Sequence, residues 1–186
     1  LHLLEMAAGA SDWLHVFVVR EDLSAFPYDV RKALIQRGTA HISNLALHDG
    51  GQYVISQATF PSYFTRDPAE QVEDHAALDA TIFGRYIAPA LGITHRYVGH
   101  EPHCPVTSVY NAIIRSELPR CGVAVCEIPR LGLDGEPISA SRVREAVRMG
   151  DWAAAQSMVP PTTYDYLRST EAEPIIGRIR EGQSCH

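Results

Sequence analysis

Ile138-Ser139-Ala140-Ser141-Arg142-Val143-Arg144-Glu145-Ala146-Val147-Arg148 reads as the opening turns of a helix suited to hold phosphate. Ser139 is a preferred N-cap type. With Ser139 as the cap, the amides of Ala140, Ser141 and Arg142 face out of the helix start beside two hydroxyls. The helix macrodipole is positive at that end and favours acidic side chains, yet Arg142 and Arg144 come before the first carboxylate, Glu145. That placement costs stability unless an anion sits among these groups. An ordinary Ser-capped surface helix with basic residues on its wet face has the same pattern, and the stretch alone leaves both readings open.

Working outward, the chain alternates short apolar runs with helical periods. Leu1 to Ala10 has helical spacing, and Trp13 to Val19 suits a strand of a parallel sheet, with His15 inside it as a satisfied core or edge histidine. Pro27 opens a helix to about Ala40, with Arg31 one turn in and Ala33, Leu34 and Ile35 on its buried face. Asn44 to Leu47 and Tyr53 to Ser56 predict short strands around Asp49-Gly50-Gly51. Asp67-Pro68 begins a long helical segment ending before Gly92, with Leu78, Ile82, Phe83, Tyr86 and Ile87 as its core stripe and Asp74, Asp79 and Arg85 on wetter faces. Arg96 to Gly99 and Gly122 to Ile128 read as strands flanking a helix, Val106 to Leu118. Gly150 stops the serine-arginine helix, Asp151 caps a short one that Pro160-Pro161 ends, and residues from about Arg168 onward read as a polar, frayed tail. The fold class predicted is α/β: a three-layer domain over 1–167 with a mainly parallel sheet, then a tail over 168–186. Polar passages Arg20 to Asp22, Gly99 to Glu101 and Ser139 to Arg144 are expected to meet in one crevice at the strands' carboxyl edge.

Composition narrows the function classes. With 186 residues, 46% hydrophobic and 20% charged, the chain fits one globular domain with a substantial core. Its formal net charge of -6 argues against a broad nucleic-acid-binding surface and against attraction to anionic lipid, while leaving room for a local basic pocket. Cys104, Cys121, Cys126 and Cys185 have no paired metal-ligand spacing and are too few for a secreted disulfide scaffold, so a reducing cytoplasm is the expected setting. No apolar run reaches transmembrane length, and the opening residues do not form a signal peptide; they look like mid-helix sequence with an upstream part lost. His100-Glu-Pro-His103 resembles a zinc motif, but that motif needs a helix and Pro102 and Pro105 oppose one, so no metal ligands are predicted. The loop Ala58 to Thr65 brings Thr59, Phe60 and Tyr63, suited either to line a small-molecule pocket or to pack on the core.

The Ile-Ser-Ala-Ser-x-Val-Arg string resembles the carboxyl-side signature of the HIGH-type nucleotidyltransferase superfamily. Further strings narrow the likeness: Phe26-Pro-Tyr-Asp-Val-Arg31, Tyr53-Val-Ile-Ser-Gln-Ala-Thr-Phe-Pro-Ser-Tyr-Phe64, Arg96-Tyr-Val-Gly-His-Glu-Pro-His-Cys-Pro-Val-Thr107, Glu127-Ile-Pro-Arg130 and Val159-Pro-Pro-Thr-Thr163 all resemble the [citrate (pro-3S)-lyase] ligase family, over nearly the whole chain up to Leu167.

The resemblance implies a Rossmann-like nucleotidyltransferase domain and a reaction in two steps. Acetate and ATP give acetyl-AMP and diphosphate; the acetyl group then passes to the thiol of the phosphoribosyl-dephospho-coenzyme A group on the citrate lyase acyl carrier subunit, activating the lyase. It assigns Ser139, Ser141 and Arg144 to the phosphates, with Arg142 outward or auxiliary. Gly99 and Glu101 correspond to the region that approaches the nucleotide. Arg31 either binds phosphate or braces its loop through a carboxylate such as Asp22, and Thr59, Phe60 and Tyr63 are candidate substrate or prosthetic-group contacts. Mg²⁺ is expected with ATP, held mostly by phosphates and water. The superfamily's His- or Thr-x-Gly-His string does not occur here, so the chain is expected to lack the first strand and to be an incomplete enzyme by itself. Two other readings stay open: an adenylyltransferase of the phosphopantetheine type, and a catalytically silent nucleotide-binding fragment.

Overall fold

The apolar run after Trp13 becomes strand β1 (Leu14–Val18), hydrogen-bonded beside β2 (Leu45–Asp49). The structure, a computed structural model, describes residues 1–20, 25–61, 71–101, 104–133 and 135–182. Packing divides the chain into two units that interleave along the sequence. The first takes Leu1–Leu14, Asp22–Leu45 and Arg130–His186, and the second takes His15–Glu21 and Ala46–Pro129. The chain is α/β, rich in helix, with small parallel sheets.

In the second unit, β3 (His95–Gly99) pairs in parallel with β4 (Ala124–Ile128), from His95 opposite Ala124 to Gly99 opposite Ile128. A parallel pair needs a crossover, and helix α5 (Pro105–Glu117) supplies it, with a short 3-10 turn at Leu118–Cys121. Helix α3 (Val72–Ile82) runs into a π-helical stretch, Phe83–Ile87, and a last turn, α4 (Ala88–Leu91), before Gly92 stops it at φ 66°. Ala76 and Ala80 on α3 leave room for Val106, Tyr110 and Ile114 of α5 and for Phe60, all buried together. Gly84 has a packing reason: a Cβ there would lie 2.9 Å from both Cβ and Sγ of Cys121. His15, as expected, is satisfied. Its Nδ1 lies 2.8 Å from Nε2 of His48, on which Phe17 stacks.

Three expectations for this unit are corrected. Leu78 and Tyr86 are 46% and 70% exposed instead of core, because the buried stripe runs through Val72, Ala76, Asp79, Ala80 and Phe83. Asp79, expected on a wetter face, is fully buried: Oδ1 accepts from Ile55 N at 2.7 Å and Thr59 Oγ1 at 2.9 Å, and Oδ2 accepts from Tyr110 OH at 2.7 Å. The tyrosine oxygen in turn accepts from Arg96 Nη2 at 2.6 Å, and the guanidinium carbon sits 4.2 Å from the Phe83 ring centre. Tyr53 to Ser56 forms no strand. Ile55 takes φ 46°, a value β-branched residues avoid, which directs its N–H to Asp79. Ser56 Oγ then donates to Gln52 O and accepts from Ala58 N and Thr59 N, closing a turn that side chains hold.

Among its described residues the first unit is mostly helical, with one hairpin. Helix α1 (His2–Gly9) is tied at its end by Asn44, whose Nδ2 donates to Ala8 O and Ser11 O. Helix α2 (Tyr28–Gly38) follows Pro27, as expected. Then come β5 (Gly132–Leu133), β6 (Glu136–Pro137), α6 (Ala140–Met149), α7 (Trp152–Met158), α8 (Pro161–Leu167) and α9 (Glu173–Arg180). The expected polar tail from Arg168 is corrected. A 3-10 turn at Thr170–Ala172 leads into α9, whose Ile175, Ile176 and Ile179 are buried with Ala146, Val147, Ala155, Tyr166 and Leu167. Three isoleucines at helical spacing in a polar string make an amphipathic helix. Burying them is a gain of roughly 1.5–3 kcal/mol each.

Candidate functional site

Helix α6 begins as its sequence dictates. Ser139 is in extended backbone, its Oγ accepts from Arg142 N at 3.2 Å, and its carbonyl accepts from Val143 N at 3.1 Å. The Arg142 amide is therefore used by the cap, which corrects the expectation of three outward amides. No described residue accepts from the N–H of Ala140 or Ser141. These two amides, the hydroxyls of Ser139 and Ser141 and the positive helix end form a place where an anion gains several hydrogen bonds at once.

The two arginines do different things. Arg142 Nη1 turns back to Glu136 O and Pro137 O, both at 3.0 Å, and so fastens the first turn of α6 to strand β6. Ile138 N to Leu131 O, at 2.9 Å, completes that join. Arg142 thus braces the hairpin that delivers the chain to the helix. Arg144 stays on the helix surface, with Nη2 3.4 Å from Ser141 Oγ, so guanidinium and hydroxyl sit side by side. Glu145 pairs with Arg148 one turn further on, at 2.5 Å, which draws the first carboxylate away from the helix start. Arg31 belongs to the same unit, and its Nε donates to Phe26 O at 3.1 Å, bracing the entry to α2. Asp22 lies outside the described residues.

Gly99 and Glu101 belong to the second unit. Gly99 ends β3; its carbonyl accepts from Asn111 Nδ2 at 3.1 Å, and a Cβ at this glycine would meet nothing within 4 Å. Its lack of a side chain thus has no packing cause in the described chain. Glu101 Oε1 accepts at 3.1 Å from the N–H of Cys104, the residue just before α5. His100 follows Gly99 and has Nε2 3.9 Å from Glu127, which also receives Arg115 at 2.5 Å. Of the aromatic loop, Thr59 and Phe60 are core residues, the first bonded to Asp79 and the second stacked on Tyr110 at 5.1 Å, which corrects their reading as ligand contacts. Tyr63, His103 and Cys185 lie outside the described residues.

The Asp79–Tyr110–Arg96 relay went unread in the sequence. Its one local signal is Arg96, a charge inside a strand of buried type, which demands a partner. Burial pushes the Tyr110 phenol far above its ordinary pKa, the Asp79 carboxylate adding to the rise and Arg96 opposing it. Burial, then His48, pushes His15 below its usual value. Among the described residues no helix is long and apolar enough to cross a membrane.

Residues 1–167 match a family described as the citrate lyase ligase C-terminal domain. The chain is 45% identical over 169 residues to a protein of Klebsiella pneumoniae named [Citrate [pro-3S]-lyase] ligase, covering 89% of this chain and 49% of that protein. It is 44% identical over 173 residues to the Escherichia coli K12 protein of that name, covering 90% and 49%, and 42% identical over 172 residues to the Haemophilus influenzae one, covering 90% and 51%. The chain therefore spans about half the length of the curated relatives it matches. No solved structure matches it.

Proposed function

Because this chain belongs to the citrate lyase ligase family through that family's C-terminal domain, we propose that it is the nucleotide-handling part of an ATP-dependent ligase that acetylates and so activates citrate lyase in the cytoplasm. The observation that carries the reading is the start of α6: a serine-capped helix end with two open amides, two hydroxyls and Arg144 beside Ser141. The family names of its relatives supply the partner, citrate lyase.

The chemistry has two balanced steps. An acetate oxygen attacks the α-phosphorus of ATP, forming acetyl-AMP as the bond to diphosphate breaks. The thiolate of the carrier subunit's prosthetic group then attacks the acetyl carbon, and AMP leaves with the electron pair. In the first step negative charge grows on the departing diphosphate. Ser139, Ser141, Arg144 and the Ala140 and Ser141 amides are fixed donors for it, and fixed donors in place before reaction are worth far more than water. In the second unit, taken by itself, Gly99 leaves open space at the end of β3, and Glu101 accepts from Cys104 N. Arg142 and Arg31 hold their loops in place. Mg²⁺ enters with ATP on phosphate oxygens and water, neutralising charge. The strands belong, in this reading, to a three-layer Rossmann-like nucleotidyltransferase domain.

The test is diphosphate release from ATP and Mg²⁺, with and without acetate, by this chain and by a form extended to the length of its relatives. Acetate-dependent release that falls about 100-fold in Ser139→Ala fits the proposal. Release indifferent to acetate refutes it in favour of an adenylyltransferase with another acceptor, such as a phosphopantetheine. ATP binding with no release from either form points to a silent binding module.

A further inference from the structure

Val159-Pro-Pro-Thr-Thr163 has no role in the reaction above, yet it opens helix α8 beside a cavity. In the first unit, the last turn of α2, α8 and the turn after it border an open pocket of about 280 Å³. Arg37, Thr162, Asp165, Tyr166, Ser169 and Glu171 line it.

The polar groups here are unusually unspent. The side chains of Arg37, Asp165 and Glu171 share the pocket wall, and none of the three forms an ion pair or hydrogen bond with a described residue. All three residues are exposed, so each side chain meets water and the shared space without a protein partner. Thr162 Oγ1 is buried with no partner, a state that costs about 1–3 kcal/mol and calls for an unseen one. Ser169 is satisfied, its Oγ donating to Tyr166 O at 2.7 Å. Tyr166 brings a phenol held in its donor form, since burial, followed by Glu171, pushes its pKa up.

The charge pattern selects the occupant. A simple anion would meet Arg37 but also two carboxylates, and a simple cation would meet the carboxylates but also Arg37. A molecule bearing both charges satisfies all three, and the cavity is near the small end of ligand pockets, with room for few heavy atoms. We propose that this pocket binds a small zwitterion of the amino-acid class, its carboxylate on Arg37, its ammonium toward Asp165 and Glu171, and one oxygen on the Thr162 hydroxyl. The proposal is independent of the acetylation reading.

Calorimetric titration of this chain tests it, using glycine, β-alanine and γ-aminobutyrate as zwitterions of increasing charge separation, and acetate and ethylammonium as single-charge controls at matched ionic strength. At least one zwitterion is expected to bind about tenfold more tightly than either control, and Arg37→Gln and Thr162→Val, each checked for an unchanged circular dichroism spectrum, to weaken it about tenfold. Arg37 is on the surface, so its variant keeps the fold. No heat from any zwitterion up to about 10 mM, or binding that Arg37→Gln leaves unaltered, overturns the proposal.

Discussion

Replacing Asp79 with alanine should unfold this protein more readily than almost any other single change in the second unit. The carboxylate accepts three hydrogen bonds in a site with no solvent, from Ile55 N, Thr59 Oγ1 and Tyr110 OH. Hydrogen bonds to a charged group are worth about 1.5–3 kcal/mol each, and a donor left unmet in the interior costs about 1–3 kcal/mol. The sum overstates the loss, because Ile55, held at φ 46° by this contact, can relax once it is gone and recover part of a strain of about 1–3 kcal/mol. Arg96 remains, through Tyr110, as a cation whose relay has lost its end. Breaking a buried charged network in this way typically costs about 3–5 kcal/mol. With a urea m-value of about 2 kcal/mol/M, the unfolding midpoint followed by circular dichroism should fall by about 1.5–2.5 M. Asp79→Asn keeps one acceptor oxygen for Ile55 and Thr59 and turns an amide toward a phenol that is already accepting from Arg96, so it should fall between the two. A midpoint shift for the alanine variant under about 0.5 M, or an asparagine variant worse than alanine, would refute the account of Asp79 as the anchor of this turn.

Gly84→Ala gains about 1 kcal/mol of helix propensity but puts a methyl 2.9 Å from Cys121, and overpacking of about 1–3 kcal/mol should win; a raised melting temperature would contradict this, and Cys121→Ala should restore part of the loss. His15 has its folded pKa held below the unfolded 6.5, so its contribution is complete above pH about 6.5 and is lost as pH falls below that and through the folded value. His15→Gln should flatten that stretch of the stability curve, and an unaltered curve would mean that other groups set it. Ser139→Ala removes a cap worth about 1 kcal/mol, a shift of a few degrees in melting, while diphosphate release falls about 100-fold; losses of equal size in both would mark the serine as structural only.

The parts of the fold that were legible in the sequence are those that local chemistry decides. Ser139 caps α6, Gly150 ends it at φ 72°, and Asp151 accepts from Ala154 N to start α7, each by groups within a few residues of one another. What was not legible depends on distant partners. Asp79 reads as a polar residue on a helix, and its burial depends on donors far along the chain: Ile55, Thr59 and Tyr110, the last thirty-one positions on. Ile55 reads as a strand residue until Asp79 claims its N–H. In the candidate site, Ser139 and Arg144 lie where the sequence put them, at the start of α6, while the bracing roles of Arg142 and Glu101 rest on backbone groups, Glu136 O and Cys104 N, that carry no mark in the sequence. The last helix is masked in the sequence by its charged residues, and its three isoleucines fall on one face only once the segment is wound.

The interleaved order of the two units sets the timetable by which a ribosome can make this protein. Residues of the second unit have all been translated once Pro129 has been added. The first unit is then still missing α6 to α9, and a hydrogen bond from Arg178 to the Ala25 carbonyl joins positions 153 residues apart. Contacts that distant are slow to form. Ala25 shares its apolar cluster with residues from Ala146 to Ile179, so that cluster closes fully only when the last helix has cleared the exit tunnel. Stalling translation between Met149 and Glu173 would leave α6 made without the α9 isoleucines that are buried with it.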